Sequence, residues 1–219
     1  MATPVLAIDS TWDAATQRAS QYRRSFVFPL LKNANLAVTE LQGSDANAGT
    51  AQADAAQPGV RYLTGVSHGK SDTFTGDGDL PIFTVGQLDP AWTQNKVIHF
   101  LACNTGIFLG PSMVAPNGGA AAAFFGYKGN FSWPSDGDSA FAAIFFDCDA
   151  EIDRALASKA TAGAALRQAV AKYNVTIAGL VKLGDPESLR LAAMLKTNLN
   201  LLCGPDGSNQ FGDPEATIT

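Results

Sequence analysis

The chain has 219 residues, a formal net charge of -5 and a sequence pI near 4.9. At roughly 150 residues per domain that is one large domain, or one domain with a small appendage. Hydrophobic residues make up 46% and charged residues only 16%, enough to bury a core and too little charge for a disordered chain. The acidic balance excludes the basic face that nucleic acid requires, and equally a polybasic membrane patch.

Three cysteines, Cys103, Cys148 and Cys203, are too few and too scattered for a disulfide framework, and no pair has the CxxC spacing of a thiolate zinc site. No metal or other cofactor is therefore expected. The first residues carry no basic n-region and only a short apolar run, and no stretch approaches the ~18 apolar residues of a membrane span. These features predict a cytoplasmic protein in a reducing compartment, with no membrane partner.

The elements follow in chain order. Residues 5–8 form a short apolar run closed by Asp9-Ser10, and read as a buried strand. Residues 13–33 turn helical, with Ala14, Ala15, Ala19, Tyr22, Phe26 and Leu30 near helical spacing and Pro29 expected to bend or interrupt the helix. Residues 36–41 alternate as a second strand. Residues 43–59 hold almost no large apolar side chain and read as a loop or weak helix. A third strand, residues 61–67, ends at His68-Gly69. Gly76-Asp77-Gly78-Asp79, flanked by Thr73-Phe74-Thr75 and Pro81-Ile82-Phe83-Thr84-Val85, reads as a β-hairpin. A fourth strand, residues 97–102, ends at Cys103, and a fifth spans residues 120–127. The last third is helical over residues 138–159, 161–182 and 186–200, with Thr161 an N-cap. Asp149, Glu151, Asp153 and Arg154 are expected on the polar side of the first of these helices. The tail after Gly204 is expected to be irregular. Five strands, mostly continuous apolar runs joined by helical or long connections, imply an α/β fold with a mostly parallel sheet covered on both faces.

In such a sheet, sites form outside the carboxyl ends of the strands. The third strand delivers His68 there and the fourth delivers Cys103. If these strands are neighbours, about 4.8 Å apart, their tips bring an imidazole to a thiol. That pair is the minimum for nucleophilic catalysis, the imidazole taking the proton and the thiolate attacking a carbonyl carbon. Gly69 lets the backbone turn sharply and bring an N–H close to a substrate, and the N–H of Cys103 is a natural second oxyanion donor. A lone Cys in an apolar run is ordinarily a packed core residue, and a lone His a loop residue. The two placed together, each past a strand and each beside a small residue, favour a site. His99 shares a strand face with Cys103 but lies roughly 13 Å away along the strand, too far for a base, and reads as a core or sheet-face histidine. Cys148 and Cys203 read as structural. No Gly-x-Ser-x-Gly elbow, phosphate-binding loop or Rossmann glycine pattern is present.

The two blocks Leu63-Thr64-Gly65-Val66-Ser67-His68-Gly69 and Val97-Ile98-His99-Phe100-Leu101-Ala102-Cys103 resemble those of the caspase, gingipain and clostripain group of cysteine peptidases. The 35-residue interval between His68 and Cys103, holding a β-hairpin, is similar too. The resemblance implies a caspase-like three-layer α/β sandwich over residues 1–219, a sheet-bearing catalytic portion in 1–135, a helical portion in 136–203 and a tail in 204–219. It implies a cysteine endopeptidase acting on protein or peptide substrates, with His68 as general base and acid and Cys103 as nucleophile. The backbone N–H groups of Gly69 and Cys103 would form the oxyanion hole, and no third catalytic member is assigned. Where caspases use arginine at the end of the first strand, this chain has Asp9-Ser10. Asp9 could serve a pocket for a basic P1 residue, or could merely cap the first helix. Asn130-Phe131-Ser132-Trp133 resembles the edge along which substrate backbone pairs, with Ser132 and Trp133 at the pocket and Asp136 and Asp138 close by. Two other readings compete: a catalytically weak caspase-like module acting by protein–protein contact, and a plain α/β binding protein with a buried, inert Cys103.

Overall fold

A computed structural model describes residues 2–134 and 139–219. The main sheet has six strands in the order β2-β1-β3-β7-β8-β9. They are β1 (Thr3–Asp9), β2 (Leu36–Gln42), β3 (Tyr62–Val66), β7 (Val97–Leu101), β8 (Ala123–Tyr127) and the short β9 (Leu202–Cys203). All neighbours run parallel except β9, which pairs antiparallel with the end of β8. A separate three-stranded antiparallel sheet of β4 (Gly69–Lys70), β5 (Thr73–Thr75) and β6 (Pro81–Thr84) lies between β3 and β7 in sequence. It is the expected hairpin, lengthened by one strand.

Each central strand is buried on both faces because its side chains alternate between two apolar layers. Leu6, Ile8, Leu63, Ile98, Phe100 and Phe124 pack on one side with Phe74 and Phe83 of the small sheet, with α3 (Ala48–Ala55) and with α5 (Leu109–Val114). Val5, Ala7, Tyr62, Val97 and Phe125 pack on the other with α2 (Phe28–Asn33), α7 (Glu151–Ala157) and α8 (Ala162–Leu183). A third cluster, near the carboxyl ends of the strands, joins Val66, Leu101, Tyr127 and Phe131 to α6 (Ser139–Asp149), α8 and α9 (Pro186–Leu201). The result is the three-layer arrangement expected. No helix among the described residues is long and apolar enough to cross a membrane.

Several elements depart from the sequence reading. The first helix is α1 (Ala14–Tyr22), followed by a π-helical turn over Arg23–Val27 and then α2, with Pro29 in its first turn. Pro29 lacks an N–H and so fits the start of a helix, and the widened turn before it carries Arg23 inward. Residues 43–59 contain α3, whose apolar face is only alanines, Ala51 and Ala55. The expected helix over 138–159 is two helices, α6 and α7, meeting at Ala150. Thr161 caps α8 as expected, its side chain accepting from the Ala164 N–H. The tail is irregular but packed: Phe211 stacks on Phe124, Gly212 bridges Ala123, and Ile218 is buried. Asp136 and Asp138 lie outside the described residues.

Candidate active site

The order of strands makes β3 and β7 neighbours, with Val66 opposite Leu101. The chain leaves them as Ser67-His68-Gly69 and Ala102-Cys103-Asn104, so both blocks emerge at one rim of the sheet. Contact between them is direct. A Cβ on Gly69 would lie 2.5 Å from the Cys103 carbonyl oxygen and 2.8 Å from Thr105 Cγ2, so only glycine fits where the two tips meet. Gly69 stands opposite Phe74 in the β4–β5 ladder, and the Thr75 N–H donates to the His68 carbonyl. Antiparallel pairs alternate between bonded and non-bonded. The Gly69 N–H therefore points away from β5. The Cys103 N–H makes no hydrogen bond to another described residue.

His68 and Cys103 line one cavity of about 140 Å³, walled by Ala15, Thr16 and Ala19 of α1, by Val66, Leu101 and Ala102, and by Phe131 and Trp133. Cys103 is half-buried, whereas Cys148 and Cys203 are buried. Burial pushes the Cys103 thiol up from its usual range, against the opposing pull of backbone hydrogen bonds at Phe131 and at its own N–H. Its sulfur approaches the Phe131 carbonyl at 3.9 Å, and among the described residues no bond joins it to the imidazole.

The imidazole is instead held by a carboxylate that the sequence reading did not assign. His68 Nε2 lies 2.8 Å from Asp13 Oδ2. The other Asp13 oxygen caps α1, accepting from the Thr16 N–H at 2.9 Å and from the Thr16 hydroxyl at 2.9 Å. Burial raises the Asp13 carboxyl, but the bonds from Thr16 and His68 outweigh it and hold it down at about 2. One ionised side chain thus fixes both the start of α1 and the direction of His68. In the neutral imidazole, an Nε2–H turned to Asp13 leaves the lone pair on Nδ1. The capping pattern Asp13-x-x-Thr16 was the available signal, but nothing in sequence ties it to a histidine fifty-five positions on.

Two expected substrate residues lie elsewhere. Asp9 does not reach the cavity. It is 1% exposed and its carboxylate takes Arg23 Nε at 3.0 Å, because the π-helical turn delivers that guanidinium to the end of β1. Burial pushes Asp9 up to about 6 despite Arg23. Nor does Asp9 cap α1, which is the work of Asp13. Ser132 is not among the residues that line the cavity either. Its N–H donates to Asn198 Oδ1 at 3.0 Å and its carbonyl accepts from Asn198 Nδ2 at 2.8 Å, so the fully buried Asn198 occupies the backbone groups expected to pair with substrate. Trp133 does form part of the cavity wall.

Comparison with solved structures identifies the architecture. Gingipain R, an Arg-specific cysteine proteinase, superposes with a TM-score of 0.57 at 16% identity over 99% of this chain and 47% of that one. The fold is caspase-like. The chain spans about half the length of that structure. No protein-family model matches, and no curated protein matches.

A second polar cluster lies beneath the caspase-like sheet. His99 is fully buried, with Nδ1 3.1 Å from Asp153 Oδ2 and Nε2 3.3 Å from Asp149 Oδ1. Tyr62 donates to Asp153 at 2.6 Å, Tyr127 donates to Asp149 at 2.7 Å, and Arg23 lies 3.8 Å from Asp153. Asp149 and Asp153, expected on a solvated helix face, are 2% and 1% exposed, because that face of α6 and α7 is pressed onto the sheet. Burial lowers the His99 pKa, but the two carboxylates outweigh it and raise it to about 9. His99, Asp149 and Asp153 carry donor types that could hold a metal, with atoms within 4.8 Å of one another. Both imidazole nitrogens face the carboxylates, Tyr127 and Arg23 approach the same oxygens that His99 contacts, and Tyr62 takes the other oxygen of Asp153, so the cluster reads as a buried ion-pair network.

Proposed function

We propose that this protein is a cysteine endopeptidase that hydrolyses protein or peptide substrates through Cys103 and His68, with Asp13 as a positioning residue. The observation that carries the reading is the shared cavity: the thiol and a carboxylate-oriented imidazole line the same opening at adjoining strand tips. His68 Nδ1 takes the thiol proton as Cys103 Sγ attacks the scissile carbonyl carbon. The resulting oxyanion sits against the N–H groups of Gly69 and Cys103, a donor of this kind being worth about 3–4 kcal/mol. The C–N bond then breaks, and the protonated His68 gives its proton to the departing amine. Water attacks the thioester, its proton passes to His68, the acid leaves, and the thiol is restored. The gingipain R superposition supports the scaffold on which this chemistry would run.

The thiol-labelling test is direct. Cys103 reacts with iodoacetamide ahead of Cys148 and Cys203, whose thiols burial lifts to about 11 and about 12. Cys103→Ala abolishes cleavage of fluorogenic peptides without loss of the folded state. Uniform slow alkylation together with an inactive wild type defeats the proposal. The second reading, a catalytically weak module that works by contact, draws on the raised Cys103 thiol and its lack of a bond to His68. It requires a Cys103 that alkylates but never turns over a peptide.

A further inference from the structure

We propose that the cavity beside Cys103 selects an apolar, uncharged P1 side chain, aromatic or branched aliphatic, and rejects arginine, lysine and aspartate. This rests on the peptidase reading above and names the substrate class of the same site. It departs from the basic P1 residue expected from Asp9, and from the arginine specificity carried in the name of gingipain R.

Four observations carry it. The first is composition: apart from His68 and Cys103, the described wall is Ala15, Ala19, Ala102, Val66, Leu101, Phe131 and Trp133, with the hydroxyl residues Thr16 and Ser67. The second is satisfaction. The Thr16 hydroxyl is bonded to Asp13 at 2.9 Å, and the Ser67 hydroxyl lies 3.2 Å from that of Thr75. The two hydroxyls of the wall are thus already paired, and an apolar occupant strands neither of them. The third is size. A dry apolar cavity of about 150 Å³ accepts a benzene ring, and this one has about 140 Å³. One phenyl or leucyl side chain fills it.

The fourth is the state of the nearby carboxylates among the described residues. A basic P1 group needs an acid that is free to pair, since an unpaired charge in an apolar pocket is strongly disfavoured. Asp9 is enclosed with Arg23. Asp13 has one oxygen on His68 and the other on Thr16, so recruiting it for a substrate cation would pull it off the imidazole the reaction needs. An acidic P1 side chain fares no better: among the described residues of the wall, the one ionisable nitrogen base is His68, already turned to Asp13.

The test is a series of acetyl-tripeptidyl-aminomethylcoumarin substrates differing only at P1, with Phe, Leu, Ala, Arg, Lys or Asp. The same P1 series is prepared as peptidyl acyloxymethyl ketones, with labelling of Cys103 read by mass spectrometry. The expected ranking places Phe and Leu about 100-fold or more above Arg, Lys and Asp in kcat/KM and in labelling rate. Ala15→Leu, on the half-buried part of the wall, lowers the Phe-to-Ala ratio about tenfold by occupying the space. Ala15→Asp shifts the ranking toward Lys and Arg. A wild type that prefers Arg, Lys or Asp, with activity lost in Cys103→Ala, overturns this inference and leaves the Cys103–His68 reading standing. No labelling of Cys103 by any member, and no turnover, overturns the peptidase reading itself and this inference with it.

Discussion

The network around His99 makes stability depend on pH above neutrality. The His99 pKa is raised from its ordinary 6.5 to about 9, chiefly because Asp149 and Asp153 outweigh the cost of burial. A raised value means that the folded state holds its proton more tightly than the unfolded chain. The contribution is therefore complete below pH 6.5 and is lost as pH rises through about 9. At about 1.4 kcal/mol per tenfold change in proton affinity, the span from 6.5 to 9 corresponds to about 3 kcal/mol. That is a large share of a typical domain's 5–15 kcal/mol. Asp9, raised to about 6, completes its own change below this range. The buried thiols act in the same direction as His99 from about pH 7.5, where their unfolded counterparts begin to ionise, and the buried tyrosines from about pH 9. Urea unfolding followed by far-UV circular dichroism between pH 6.5 and 8.5 reports the histidine once the slope of His99→Gln, which keeps the thiols and Lys96, is subtracted. The wild type should lose roughly 2 kcal/mol more than the variant across that window. Parallel slopes within about 0.5 kcal/mol would show that His99 is neutral in the folded protein, and the ion-pair reasoning would fail.

Two further outcomes follow from the geometry at the rim. Asp13→Asn keeps an N-cap for α1 but removes the charge beside His68, so kcat should fall about 10–100-fold with KM little changed and the acid limb of the kcat/KM profile displaced. An equal effect on thermal stability with an unaltered pH profile would reduce Asp13 to a helix cap. Gly69→Ala forces a methyl to 2.5 Å from the Cys103 carbonyl oxygen, so the strand tips must part. Activity should drop by at least about 100-fold, and a variant with wild-type turnover would show that the Gly69–Cys103 contact does not matter to the site.

The strands were legible because each is a short apolar run bounded by turn or polar residues, and a parallel sheet buries such runs on both faces. His68 and Cys103 were legible for the same reason: they are the first reactive side chains past two such runs. What escaped depended on three-dimensional partners. Asp149 and Asp153, four apart, share a helix face, and periodicity says so. Whether that face meets water or the sheet depends on His99 and Arg23, which lie far off in sequence. Asp9 had the right residue type at the right strand end, but the π-helical turn placed Arg23 over it. Ser132 sat in the expected segment, and Asn198, sixty-six positions later, closed off its backbone. The alanine-only face of α3 was invisible for a different reason: without large apolar residues the helical period has no amplitude.

One consequence joins fold to specificity. In this architecture the position of the proposed pair is set by strand order, because β3 and β7 must be adjacent for His68 and Cys103 to open onto one cavity. The lining is set mostly by something else: one face of α1, the strand ends and the segment after β8. The superposition at 16% identity shows the strand order and carries nothing about the side chains that line the cavity. The two are linked through the first turn of α1, where Asp13 points one oxygen at the imidazole and Thr16 stands in the cavity wall while binding the other. Changes at Thr16 therefore act on turnover and on P1 preference together, whereas changes at Ala15 or Ala19 act on preference first.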